Sequence, residues 1–422
     1  MVVGTMIGSG IYLLPTTLAP FGPNLVAAFA FTIAGTMCLA IAFARLAARI
    51  PGGPFVYVCT AFGDTPAFLT MWSYLISQWT GVAAVAVAVA GAIGFVLPAA
   101  GSGIGLTIVA LGTIFILTLV NLTGARSAGW VQLGATLIKI IPLFAVVLLV
   151  AVRFGTGQPV EQLTPVPITL AGVAAAAALM LFSLTGFESA TVVANVTEDS
   201  TTTVPRATIY GTGFTGLIYL AATVAVLLLL PSAIAANSSA PFADAIAPIL
   251  GNGAGAIVAI IAAISAFGTC NALLLLSAEV GRSIAGANDL PPLFRRSNRA
   301  GAPTGSLLVG AGVATLLVLA SSSENFVQVY VFIALVSTVA SLVLYAVCSA
   351  AALKLKAMGG WTIVALLALL YSLAMFVGAG LEATLWGLGL ALVGLPIRTL
   401  SRRFSSTATN LEVEHVPGMP PE

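Results

Sequence analysis

The stretch GTMIGSGIYLLP, residues 4–15, decides how this chain is read. It belongs to a strongly apolar run and yet holds Gly4, Gly8 and Gly10. Glycine is a poor helix former, and in hydrocarbon an unpaired backbone group has no water to satisfy it. Such a run is either a small-residue surface for close helix packing or a place where the backbone leaves the helix to line a cavity. The rest of the chain bears on that choice.

The chain has 422 residues, of which 59% are hydrophobic and 7% charged, with a mean hydropathy of +1.12. Soluble globular proteins are about 25% charged, so this is a polytopic membrane protein. Cys38, Cys59, Cys270 and Cys348 lie in or beside apolar segments without metal-ligand spacing and read as buried small hydrophobes. The only histidine, His415, falls in a polar tail. Imidazole catalysis and histidine-based metal chemistry are therefore not expected.

A hydrocarbon core about 30 Å thick needs about 20 apolar residues per helix. At that length twelve spans are predicted, at 1–20, 24–48, 67–98, 104–122, 128–152, 170–196, 207–231, 253–286, 304–321, 325–353, 361–379 and 382–400. With a cytoplasmic N-terminus, only Arg153 of the 15 Lys and Arg residues falls outside and only Lys139 within a span, which leaves thirteen inside. That asymmetry sets the orientation, with both termini cytoplasmic. Residues 404–422 form a polar, Pro-containing tail.

Two spans break the apolar pattern, the first with MIGSGI (6–11) and the sixth with SLTGFESA (183–190). They are five spans apart, and a repeat of an odd number of spans reverses the second copy. The pattern is that of an inverted repeat, with residues 1–152 as the first five-helix unit, 170–353 as the second, and two more helices over 361–400. In such a build, half-helix amides face an anionic ligand group and free carbonyls a cationic one. An alpha-amino acid carries both. Glu188 stands beside the second break, where a carboxylate is costly and is read as functional.

At these residues the chain resembles the amino acid-polyamine-organocation transporters, and within them the basic amino acid/polyamine antiporters, arginine/agmatine exchangers included. The resemblance rests on GTMIGSGIYLLP, on PGGPFVYV (51–58), on GFESA (186–190) with TEDSTTTVPRA (197–207), and on NDLPPLFRRSNRAGAPTGSL (288–307). It covers essentially the whole chain. It implies a leucine-transporter-like five-plus-five inverted repeat with helices 1 and 6 interrupted, working by alternating access.

Carried over residue by residue, the resemblance implies that Gly8, Ser9 and Gly10 hold a substrate carboxylate and that carbonyls near Met6, Phe182 and Thr185 receive its amino group. Ser337 matches a pocket serine. Glu188, Tyr74 and Tyr345 match a gate expected on the extracellular side. Where the antiporter has tryptophans this chain has Phe182 and Leu273, and Val82 replaces an asparagine. Phenylalanine gives a weaker cation–π face than tryptophan, and Leu and Val replace neither an indole nor an amide donor, so the more apolar pocket favours smaller or neutral amino acids.

Lys139, in TLIKIIPL, resembles the lysine of sodium-independent relatives whose amine takes the place of a sodium ion. It is read either as a proton-coupling group or as a fixed tether between helices. Glu279 is either a proton relay or the partner of Arg282 three residues on, and the pairing is favoured. Only Met1 to Thr5 precede Met6, too few for a half-helix, so the start of the natural chain is expected upstream of Met1.

The leading expectation is a multi-pass transporter of the bacterial inner membrane that exchanges an alpha-amino acid for another or for an amine, without a cofactor. The alternative is proton-coupled uptake of neutral amino acids through Lys139, and a non-transporting amino-acid sensor on the same fold comes third. A channel would show repeated polar rings, and an enzyme a nucleophile, base or metal set. Basic residues scattered over the inner loops do not form a nucleic-acid surface. A homodimer is carried over from the resemblance.

Overall fold

The protein is described here by a computed structural model covering residues 6–123, 128–188, 200–299, 301–320 and 325–413, with side chains described except at 128–137, 200–201 and 404–413. The proposed upstream start, the second half of the sixth span beyond Glu188, and His415 with the end of the tail lie outside the described residues. Among the described residues every regular element is helical.

In chain order the main helices are α1 (Ser9–Leu18), α2 (Asn24–Arg49), α3 (Pro54–Phe62), α4 (Asp64–Val96), α5 (Gly103–Leu122), α6 (Ala128–Gly155) and α7 (Leu170–Leu184). They continue with α8 (Ser200–Leu229), α9 (Pro241–Leu250), α10 (Asn252–Gly286), α11 (Thr304–Ala320), α12 (Phe326–Lys354), α13 (Thr362–Gly378) and α14 (Leu381–Val413). Among the described residues, nine helices are long and apolar enough to cross a membrane, and Leu170–Leu184, Pro241–Leu250 and Thr304–Ala320 are shorter apolar ones. The helix Pro241–Leu250 falls between the seventh and eighth predicted spans and has no counterpart among them.

The central pillar is α4, whose run GVAAVAVAVAGAIG, residues 81–94, carries side chains small enough for close approach by α10 and α12. Its apolar window is 78% buried, against 28% for α13. The outer helices turn large apolar side chains outward, among them Ile108, Phe115, Ile141, Leu148 and Leu370. That surface requires hydrocarbon around it.

One end of the bundle gathers the basic residues. Arg49 donates to the Lys356 carbonyl at 3.0 Å, and the Arg45 guanidinium lies 5.7 Å from the Trp361 ring centre. Arg398 and Arg402 bind Asp64 and Asp289 at the same end. The four cysteines are unbonded, with Cys270 and Cys348 buried. Arg282 pairs with Glu279 at 2.7 Å, as favoured from their spacing.

Candidate substrate-binding site

The first break lies where the sequence puts it. The chain is out of helix at Ile7 and Gly8, and α1 begins at Ser9, with Gly8 extended at φ −126° and ψ −145°. The first N–H groups of α1 therefore have no partner within the helix. α7 ends at Leu184, and the chain turns through Thr185 to Glu188, where Gly186 takes φ +104°, a conformation other residues rarely adopt.

α1 meets α7 at Gly10 and α10 at Gly8. A Cβ on Gly10 would stand 2.7 Å from the Cα of Ser183, and one on Gly8 would stand 2.7 Å from Thr269 Oγ1 on α10. Both contacts are shorter than side chains tolerate. The glycines thus let α1 approach α7 and α10 at backbone distance while the backbone between them is open. Close packing, one of the two readings of the opening motif, is seen at both glycines.

Polar side chains that the sequence reading passed over surround the break. Tyr219 Oη on α8 donates to the Met6 carbonyl at 2.6 Å, and Ser265 Oγ on α10 donates to the Gly8 carbonyl at 3.4 Å. Thr185 Oγ1 donates to the Phe182 carbonyl at 2.7 Å. The hydroxyls of Ser9 and Tyr330 lie close together without reaching hydrogen-bond geometry. A lone tyrosine or serine in an apolar helix carries no sequence signal that separates it from packing residues.

Around Phe182, Leu273, Val82 and Ser337 the structure shows the following contacts. Phe182 packs edge-on against Tyr330 with ring centres 6.0 Å apart. Leu273 and Ser337 both approach Gly81, and Ser337 Oγ donates to the Ser77 carbonyl at 2.7 Å. Phe182, Val82, Leu273, Leu274 and Tyr330 share one apolar cluster, so the walls next to the break are mostly carbon. A narrow pocket runs beside α1 from Ser9 past Tyr12 to Phe242, toward the end of the bundle opposite the arginines.

Glu188, Tyr74 and Tyr345 are also brought together. Tyr74 Oη donates to Glu188 Oε1 at 3.4 Å, the Gly186 N–H donates to Glu188 Oε2 at 3.0 Å, and Tyr345 faces the same carboxylate. Phe43 and Phe187 complete an aromatic layer, with ring centres 5.1–6.0 Å apart among Phe43, Phe187 and Tyr345. Tyr74 is about 15 Å along α4 from Asp64, and Tyr345 about as far from the Lys354 end of α12. The layer therefore lies between the break and the arginine-rich end.

Lys139 is buried, 1% exposed. Its carbonyl accepts from Tyr12 Oη at 2.6 Å, and its ammonium lies beside Gly268 on α10, one residue from the Thr269 that meets Gly8. Among the described residues no carboxylate forms a salt bridge with it.

Apolar helices around a buried polar centre, with a pocket toward one end and an aromatic layer toward the other, make a multi-pass membrane transport protein. The amino acid permease family profile matches residues 1–385, and the chain belongs to that family. The cadaverine/lysine antiporter of Escherichia coli (strain K12) is 30% identical over 334 residues, covering 77% of this chain and 74% of that protein. A putative arginine/ornithine antiporter of Bacillus subtilis (strain 168) is 28% identical over 445 aligned positions, 93% of each chain. The putrescine transporter PotE of Escherichia coli (strain K12) is 28% identical over 411 positions, 92% of each.

Proposed function

We propose that this protein exchanges an alpha-amino acid for an amine or a second amino acid across the bacterial inner membrane by alternating access. The observation that carries the reading is the meeting of α1, just after its break, with α7 at Gly10 and Ser183. It puts α1 amides, the α7 carboxyl end and the Phe182–Tyr330 pair around one point. The names of the similar antiporters supply the substrate class, amino acids with amino-bearing side chains and their amines.

In this reading Gly8, Ser9 and Gly10 bind the carboxylate, and carbonyls at Met6, Phe182 and Thr185 bind the ammonium. Phe182, Leu273 and Ser337 shape the side-chain pocket. Tyr74, Glu188 and Tyr345 close the cytoplasmic path, with the arginine-rich end as the cytoplasmic one by the positive-inside rule. The chain crosses the membrane twelve times, as two inverted five-helix repeats (1–152 and 170–353), two further helices (361–400) and a cytoplasmic tail, and works as a homodimer. With the aromatic layer closed and the pocket beside α1 on the other side, the described state suits loading from outside.

The test is counterflow in proteoliposomes. Labelled lysine, arginine or ornithine is offered to vesicles preloaded with cadaverine, putrescine, agmatine or nothing. Uptake that requires an internal amine establishes exchange. Uptake of alanine into empty vesicles under a proton gradient, abolished in Lys139→Ala, would replace exchange with proton-coupled import. That second reading is favoured by one observation, the burial of the Lys139 ammonium beside Gly268. Binding of amino acids without flux in any arrangement would leave a sensor.

A further inference from the structure

Three phenols stand around the first break, those of Tyr12, Tyr219 and Tyr330, and they are not equivalent. Tyr12 Oη donates to the Lys139 carbonyl at 2.6 Å and Tyr219 Oη to the Met6 carbonyl at 2.6 Å. Tyr330, on α12, is 3% exposed, and its hydroxyl has no hydrogen-bond partner. The Ser9 hydroxyl beside it, on a residue 2% exposed, has none either. Leaving a buried hydroxyl unpaired is costly, and two neighbouring ones call for an acceptor that both can reach.

Their place in the fold says which kind of acceptor. Ser9 is the first residue of α1, a helix of 10 residues whose leading N–H groups have no partner within it. Amides and two hydroxyls thus converge as donors at the positive end of a helix dipole, which favours an anion. The Tyr330 ring is fixed there, edge-on to Phe182 with centres 6.0 Å apart and parallel to Phe326 at 6.4 Å. Ser337, two turns further along α12, already donates to the Ser77 carbonyl at 2.7 Å. Of these two α12 hydroxyls, Tyr330 is therefore the one able to donate to a ligand.

We propose that Tyr330 binds the substrate carboxylate, its hydroxyl donating together with that of Ser9 beside the α1 amides, and thereby sets the preference for an amino acid over the amine left by its decarboxylation. The assignment rests on the exchange reading above and deepens it. A carboxylate accepts from several donors at once. The amine presents no anion to this point, so the Tyr330 hydroxyl favours only one of the two exchanged substrates.

The experiment is equilibrium binding to the purified full chain in detergent, with wild type and Tyr330→Phe side by side. Labelled lysine, ornithine and arginine are each compared with cadaverine, putrescine and agmatine respectively. For the pair that wild type binds, the preference for the amino acid over its amine should fall on the order of tenfold in Tyr330→Phe, because a hydrogen bond to a charged group is lost with the amino acid alone. The melting temperature without ligand should not fall, since no acceptor of the protein depends on this hydroxyl. An unchanged preference, or equal weakening of both partners, overturns the assignment and leaves the exchange reading standing. A lowered melting temperature without ligand also overturns it, by showing that the hydroxyl serves the fold. Wild-type protein that binds none of the three amino acids removes the exchange reading itself, and the assignment with it.

Discussion

The Tyr219 hydroxyl donates to the Met6 carbonyl at 2.6 Å and so ties α8 to the backbone just before the first break. That carbonyl is one of those expected to receive a substrate ammonium. Tyr219 therefore either holds the unwound segment open or is displaced when substrate arrives, and in both cases it positions the site. Tyr219→Phe removes one buried hydrogen bond, a loss of about 1 kcal/mol in stability. Exchange in proteoliposomes is expected to fall severalfold, mainly through KM. A lowered melting temperature with unchanged exchange would make the bond purely structural.

The two glycines of the first break should not tolerate alanine equally. At Gly10 the new methyl meets the backbone of Ser183, which cannot give way without parting α1 from α7. At Gly8 it meets only the side chain of Thr269. Gly10→Ala is expected to abolish exchange. Gly8→Ala should be impaired and partly restored by Thr269→Ala, which removes the obstructing atoms. Counterflow by the three variants checks this, and equal loss without rescue would show that Gly8 is needed for its backbone freedom instead.

What the sequence made legible follows from the range of each signal. The spans were legible because about 20 apolar residues in a row have few other uses, and the first break because glycine marks it locally. Glu188 stood out because a carboxylate in an apolar helix is rare. Tyr219, Ser265 and Thr269 were not legible, since only the packing of α8 and α10 on α1 gives them a role. The helix Pro241–Leu250 is too short for a span and carries no repeat signal. The depth of the Glu188 layer was not legible, because a motif carries none. Counting residues from Asp64 to Tyr74 supplies it.

Glu188 accepts from the Gly186 N–H as well as from Tyr74, so it organises its own turn and the aromatic layer together. Removing the acceptor orphans several donors, whereas removing one phenol loses a single long bond. Glu188→Ala is therefore expected to cost more stability and more exchange than Tyr74→Phe, for which the loss should stay within about 1 kcal/mol. Thermal unfolding in detergent alongside counterflow measures both. Equal effects would mean that the layer is held by ring packing rather than by the carboxylate.

Arg398 and Arg402 bind the same two aspartates but from different environments, and their substitutions should separate. The Arg398 side chain is 6% exposed and that of Asp289 is 0% exposed, and they bind at 2.8 Å. Arg398 also donates to Thr65 Oγ1 at 2.8 Å and lies 5.0 Å from the Phe68 ring centre. It thereby joins α14 to the start of α4 and to the loop after α10. Arg398→Ala leaves the buried Asp289 with one partner, and breaking such a pair costs about 3–5 kcal/mol. Arg402 is 48% exposed, and its loss leaves Asp289 bound to Arg398, so Arg402→Ala should cost about 1 kcal/mol or less. Replacing both buried partners, Arg398→Met/Asp289→Leu, removes the orphaned charge and should recover much of the stability lost in Arg398→Ala, since Asp64 at 47% exposure can return to water. Melting temperatures of the three variants decide the matter. If the double variant melts no higher than Arg398→Ala, the position of α14 depends on the ion pair itself and not merely on avoiding an unpaired buried carboxylate.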